Sequence, residues 1–169
     1  MEKKARLVTY ISIAVLLLAF GLLAIPQFIV PNDYPILESI SGYQFFFHAV
    51  DTRYENLSGI NGVSGQGIAV FVLMVLALGS FCFARKSSAL LMLGGLLDVV
   101  ASILFFAMEA SKKVVYGSNR SFVNVGWTNY LIGGLLVLCG LIAIYYAFRS
   151  MRSEKKQFES KQSYSYLKK

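Results

Sequence analysis

Apolar residues in this chain gather into four long runs separated by short polar stretches. Leu7 to Ile25 reads LVTYISIAVLLLAFGLLAI, Ile68 to Ala84 reads IAVFVLMVLALGSFCFA, Ala89 to Met108 reads ALLMLGGLLDVVASILFFAM, and Tyr130 to Phe148 reads YLIGGLLVLCGLIAIYYAF. About 20 such residues in a helix cross a hydrocarbon core ~30 Å thick. In that medium every backbone N–H and C=O needs an internal partner, so the runs are expected to be helices. The strict alternation of a membrane barrel strand is absent. The pattern therefore predicts an all-α membrane protein: a four-helix transmembrane bundle with spans at about 7–25, 68–84, 89–108 and 130–148. A first outer segment of about 35 residues, near Pro31 to Gln66, is long for a connection and is the largest polar piece. Residues 1–148 form the transmembrane domain in this reading, and residues 149–169 a basic tail.

Composition strengthens the choice of solvent. Hydrophobic residues make up 56% of the chain and charged residues 15%, too little polar surface for a soluble domain of this size. The first run follows Lys3, Lys4 and Arg6, as a secretory signal would. It exceeds the usual ~7–15 apolar residues of such a signal and leads into Ile25-Pro26-Gln27 with no small-x-small site, so a retained anchor is expected.

The net charge of +7 is read as topology. Twelve of the sixteen cations lie in the N-terminus (Lys3, Lys4, Arg6), the turn after span two (Arg85, Lys86) and the C-terminal tail, which a four-span path puts on one side. Arg53, Lys112, Lys113 and Arg120 fall on the other. The positive-inside rule then places both termini in the cytoplasm of a multi-pass cell-membrane protein, with Trp127 and Tyr130 as aromatic anchors at the outer start of span four. No nucleic-acid module accompanies the charge, so no nucleic-acid partner is expected. The tail is read as a solvated segment that enforces orientation. The other reading is an anionic-lipid contact through Arg149, Arg152, Lys155 and Lys156.

Candidate chemistry is sparse. Cys82 and Cys139 both fall within spans, where cysteine is most often a small packing residue. The single histidine, His48, with Asp51 gives H-x-x-D, too thin for a metal site, so no cofactor or metal is expected. No nucleophile with a base, carboxylate pair or cofactor fingerprint stands at usable spacing, and an enzyme is not expected. In the first outer segment Ile36, Ile40, Tyr43, Phe47, Val50 and Tyr54 share one helical face. The helix is the favoured reading and would lie on the membrane surface or cap the bundle; an extended segment is the rival, since SGYQFFFHAV is also good strand material. Tyr43, Phe46, Phe47, Val50 and Tyr54 make this the candidate outer interaction segment. Gly59, Gly62, Gly65 and Gly67 read as a flexible turn into span two. Asn56 and Asn119 match the N-glycosylation acceptor on the outer side.

The most informative residue is Asp98, the one charge inside an apolar run. An acid at a span centre costs about 2.5–3.5 kcal/mol on insertion scales and normally faces the bundle interior. Gly94, Asp98, Ala101, Ser102 and Phe105 share a face with Gly95 beside it, and small residues let a neighbouring helix approach closely. Gly133, Gly134 and Gly140 repeat the theme in span four. Spans three and four are thus expected to pack closely, with Asp98 donating a hydrogen bond to Ser102 or a backbone carbonyl. A proton or cation relay and a cationic helix of another subunit are the other roles open to it.

The stretch ISGYQFFF and the glycine-rich turn that follows resemble small four-span bacterial membrane proteins. The order of long outer loop, tight inner turn, shorter outer loop and inner tail resembles claudin-type tetraspans, but the tryptophan and cysteine pair of their first loop are absent here. The sequence points to a non-catalytic accessory, assembly or scaffold subunit that packs, in the lipid bilayer, against a membrane-protein partner or a second copy. A small oligomeric transporter, channel or pore former using Asp98 is the alternative.

Overall fold

The computed structural model describes residues 3–29, 39–47, 65–110 and 124–166. The order of elements is α1 (Lys3–Leu22), β1 (Pro26–Ile29), β2 (Ser39–Ser41), α2 (Gly42–Phe47), α3 (Gly65–Phe83), a 3-10 turn (Ala84–Lys86), α4 (Ser88–Ala110), β3 (Asn124–Val125) and α5 (Trp127–Tyr166). Helices α1, α3, α4 and α5 are each long and apolar enough to cross a membrane. The protein is an all-α four-helix bundle with the make-up of a multi-pass membrane protein, carrying a small sheet at one end.

Local chemistry sets where the spans stop. Helix α1 closes at Leu22 through short-range bonds, Ala24 N–H to Gly21 O and Ile25 N–H to Leu22 O, both 3.1 Å. Pro26 has no N–H and disfavours helical geometry at Ile25, so the chain turns into β1. Between α3 and α4 the chain reverses in a few residues. Ser87 adopts extended geometry at φ −155° and ψ 132°. Its Oγ accepts the Ala89 N–H at 3.2 Å, the N-cap bond that satisfies an orphan donor of α4.

Packing runs around a square. Helix α4 packs most extensively on α5, then on α3, while α1 packs on α5 and α3. Chain neighbours are therefore spatial neighbours, as an up-down-up-down bundle requires. The inward face of α1 is Ala5, Val8, Thr9, Ser12, Leu16 and Ala19, continued by Leu23 just after it. That of α5 includes Ile132, Leu136, Cys139, Ala143 and Ala147. Both follow the 3.6-residue period. The outward faces are also apolar: Leu17, Leu18, Leu76, Val100, Ile103, Leu138 and Leu141 are exposed. Such a surface suits acyl chains, whereas a soluble bundle would carry polar residues there.

Both ends of the described chain leave the same end of the bundle. Arg85 in the turn donates a hydrogen bond to the Tyr10 hydroxyl of α1 and stands over its ring, 4.7 Å from the centroid. Ser88 at the start of α4 lies 2.8 Å from the Ser150 Oγ of α5 and 2.9 Å from a carboxylate oxygen of Glu154. Each serine has one hydrogen, so the chain of bonds runs Ser150 to Ser88 to Glu154, and the Glu154 charge sits beside the N-terminus of α4, where the helix dipole favours it.

At the opposite end a three-stranded antiparallel sheet in the order β2-β1-β3 ties the connections together. Phe28 of β1 pairs with Ile40 on one side and Val125 on the other. A single helix through Ile36 to Tyr54 is not what forms. Ile40 is in a strand and the helix begins only at Gly42. The aromatic residues explain the change: α2 turns inward as a plug. Phe46 is fully buried and meets Phe105 at 6.3 Å between ring centroids, Phe47 meets Phe71 at 4.9 Å, and Tyr43 donates to the Phe20 carbonyl at 2.8 Å. A membrane-surface helix would leave these rings unpacked on one side. The tail also differs from a solvated coil, since α5 runs unbroken for 40 residues, about 60 Å, with no break at residue 148.

Candidate functional site

Helix α4 carries its polar and small residues on the face turned into the bundle. Gly94, Gly95, Asp98, Ala101, Ser102 and Phe105 are all buried, Asp98 with no exposed surface. Opposite this face α5 brings Gly133, Cys139 and Gly140, and α1 brings Ser12. The helices meet most closely at Gly95 and Gly140. A Cβ on Gly95 would stand 2.7 Å from the Gly140 carbonyl oxygen, and one on Gly140 would stand 2.6 Å from that of Gly95. Neither position has room for a side chain, because the obstacle is backbone.

That contact sets the surroundings of Asp98, whose Cβ would lie 3.2 Å from a Gly140 Cβ. The Cys139 thiol sits against both the Asp98 carboxyl and the Ser12 hydroxyl, forming a three-helix polar cluster. Neither carboxyl oxygen of Asp98 makes a hydrogen bond of strict geometry. Of the two acceptors expected from the sequence, a backbone carbonyl is not met by either oxygen, and Ser102 is engaged elsewhere, its Oγ donating to the Gly133 carbonyl at 2.8 Å. The correction has a geometric cause. A helix places residues four apart one above the other, so Asp98 and Ser102 both face α5, and each meets the α5 backbone or side chain at its own level.

The other small residues divide by neighbour. Gly94 faces the Phe81 ring of α3 and Gly133 the Phe106 ring of α4. Gly134, grouped with them from sequence, meets nothing within 4 Å and takes no part in the contact. Gly67 belongs to the packed interior and not to a flexible turn, since a Cβ there would stand 2.5 Å from the Phe46 ring. Of the outer interaction segment, Phe46 is enclosed and Tyr43 half-buried, while Phe47 is exposed. Val50, Tyr54, His48 and the acceptor asparagines Asn56 and Asn119 lie outside the described residues. Arg149, Arg152, Lys155 and Lys156 are exposed on α5 beyond the last turns of its apolar run.

Sequence reading passed over Ser12 and gave Cys139 a packing role only. The signal was present for Ser12, which lies in the helical stripe Ala5, Thr9, Ser12, Leu16, Ala19 of small and apolar residues. It was not present for the pairing, because nothing along the chain says that α1 meets α5 at that depth. Among the described residues no three His, Cys, Asp or Glu side chains come together as a metal set. Chemically the cluster offers a carboxyl, a thiol and a hydroxyl in an apolar surround, suited to exchanging hydrogen bonds among themselves.

Ser102→Ala tests the level below Asp98. Interhelical hydrogen bonds in membranes average about 0.6 kcal/mol, so a loss of that order is expected in thermal unfolding. No change at all would show that the Ser102 to Gly133 bond contributes nothing to holding α4 on α5.

This architecture defines a class, a bundle of four helices long and apolar enough to cross a membrane, with one buried acid among the described residues. No protein-family model matches the chain, and no curated protein is detectably similar to it.

Proposed function

We propose that this protein is a non-catalytic accessory, assembly or scaffold subunit of a membrane complex, with the end that carries Arg85, Lys86 and Arg149 in the cytoplasm. The observation that carries the reading is the length of α5. The bundle holds this helix through Ser150 and Glu154, by their bonds to Ser88. The same helix continues to Tyr166. The remaining twelve residues make an arm of about 18 Å joined rigidly to the bundle. Arm residues Lys155, Lys156, Phe158 and Glu159 are exposed, Phe158 at 64%. A rigid apolar and charged arm is a means of holding a partner at fixed distance from a membrane. The interior supports the same reading, since Phe46, Phe81, Phe105, Leu16, Met74, Leu91 and Leu136 fill it without exposed surface.

The test is a photoreactive residue at position 158 in native membranes, with and without truncation after Glu154. The expected result is a discrete crosslinked species larger than the monomer, and a native complex that the truncated protein no longer enters although its bundle still folds. A full-length protein that stays a monomer without crosslinks overturns the reading.

One observation favours a second function. Asp98 is fully buried, with both oxygens lacking strict hydrogen bonds, beside the Cys139 thiol that also meets Ser12. Intramembrane acids mark many ion and proton pathways. A small oligomeric transporter would show flux in liposomes that Asp98→Asn abolishes. Equal flux in both proteins, or none in either, removes this function.

A further inference from the structure

The last turns of the apolar run of α5 and the basic turns after them carry an exposed set of aromatic and cationic side chains. Tyr145, Phe148, Arg149, Arg152, Lys155 and Lys156 are all exposed. At about 100° per residue they fall within an arc of about 120°, on the side opposite Ala143, Ala147 and Ser150, which face the bundle. Two shallow open grooves follow this side. The first is lined by Tyr145, Phe148, Arg149 and Arg152, the second by Arg149, Arg152, Ser153, Lys155, Lys156 and Glu159. They share Arg149 and Arg152, so an aromatic, membrane-level surface continues directly into a cationic one. Glu159 lies 3.9 Å from Lys155 and offsets part of the charge, and Arg149, Arg152 and Lys156 are the further cations exposed on this face.

We infer that this face of α5 is a binding site for an anionic phospholipid, its phosphate-bearing headgroup held by Arg149, Arg152 and Lys156 and its acyl chain lying along Tyr145 and Phe148. The order of the residues carries the assignment. Aromatics favour the headgroup level and cations one or two turns further along meet phosphate, where guanidinium forks match its oxygens in two-point bonds. An acidic protein would use the cations but has no reason to require the aromatic pair on the membrane side of them. Charge complementarity selects anionic over zwitterionic lipid, because a zwitterionic headgroup brings a cation of its own to the same surface.

The experiment uses the purified full-length chain, equilibrated with equimolar phosphatidylglycerol and phosphatidylcholine of matched acyl chains and read by native mass spectrometry. Wild type is expected to retain phosphatidylglycerol about tenfold over phosphatidylcholine, as cations near a headgroup surface favour anionic lipid. The triple variant R149Q/R152Q/K156Q should retain the two lipids alike. R6Q/R85Q/K86Q, which removes the same charge from the same end of the bundle, should keep the preference. Wild type without preference, or a control that loses as much as the triple variant, overturns the site. Photoactivatable phosphatidylglycerol on wild type decides the matter even if a variant fails to fold. Label concentrated in the segment 145–156 supports the site, and label spread over α1 and the 3-10 turn sinks it. Wild type holding both lipids alike while an acidic protein co-purifies through Arg149 and Arg152 would replace the lipid with a protein ligand.

Discussion

Gly140→Val is expected to be the most damaging single substitution in the spans, costing about 3 kcal/mol or more. Overpacking usually costs less where a flexible side chain can move aside. Here a Cβ would lie 2.6 Å from the Gly95 carbonyl oxygen and 2.8 Å from the Val99 Cγ2. The first of these is helix backbone and cannot rotate away. The two helices must separate, and separation weakens every contact they share, from Ser102 Oγ on the Gly133 carbonyl to the Cys139 thiol on Asp98. In a bilayer this loss has little compensation. Lipid chains are as apolar as the side chains they replace, so close packing itself is what holds spans together. Thermal unfolding in detergent, followed by circular dichroism, reads the effect. Gly134→Ala is the matched control. It adds a methyl on the same helix where nothing lies within 4 Å, and it should be neutral or stabilise by up to about 1 kcal/mol through backbone entropy. Equal melting of Gly140→Val and wild type would show that α4 and α5 do not touch backbone to backbone.

Phe46→Ala should cost about 3 kcal/mol, at the low end of the range for emptying a buried aromatic site. The ring is fully buried, rests on Gly67 and faces Phe105 at an interplanar angle of 85°. Removing it leaves a void bounded by α3 and α4 that the short helix α2 cannot fill, because Tyr43 holds α2 to α1 through the Phe20 carbonyl. Phe47→Ala, one residue away, should cost only about 1 kcal/mol. Phe47 is 44% exposed and meets the Phe71 and Phe46 rings in T-shaped contacts. A comparison of the two melting temperatures tests whether α2 is a plug. Equal small losses would mean that the segment lies on the surface after all.

These two sites show how unevenly the chain discloses itself. The four helices were legible because bilayer-length apolar runs have one backbone solution, and α1, α3 and α4 begin and end within about four residues of their apolar runs while α5 runs well past the fourth. The inward direction of the Asp98 face was legible for a similar reason: small and polar residues at helical spacing are unlike their lipid-facing neighbours. The outer segment was not. Its 3.6-residue spacing of Ile40, Tyr43 and Phe47 is real, yet β1 captures Ile40 in a strand and α3 and α4 supply the pocket for Phe46. Local pattern lost to partners between 12 and 59 residues away in the chain, Phe28 for Ile40 and Phe105 for Phe46.

The last helix shows the same limit. The change from apolar to basic residues at 148–149 reads as a domain boundary, but backbone hydrogen bonds are indifferent to that change in side-chain character. Helix α5 continues, helped on its first basic turns by Ser150 and Glu154 bonding to Ser88.

Run length and charge distribution by themselves determined the number of spans, the kind of solvent they suit and the one acid that has to be sheltered, because the cost of polar groups in hydrocarbon acts on each segment alone. Only the tertiary structure decided what shelters it. Gly95 meets Gly140 and not Gly134, Asp98 meets Cys139 and not Ser102, and Phe46 closes the bundle from within. Each of these depends on the rotation and depth at which two helices meet, and that is set jointly by both packed surfaces.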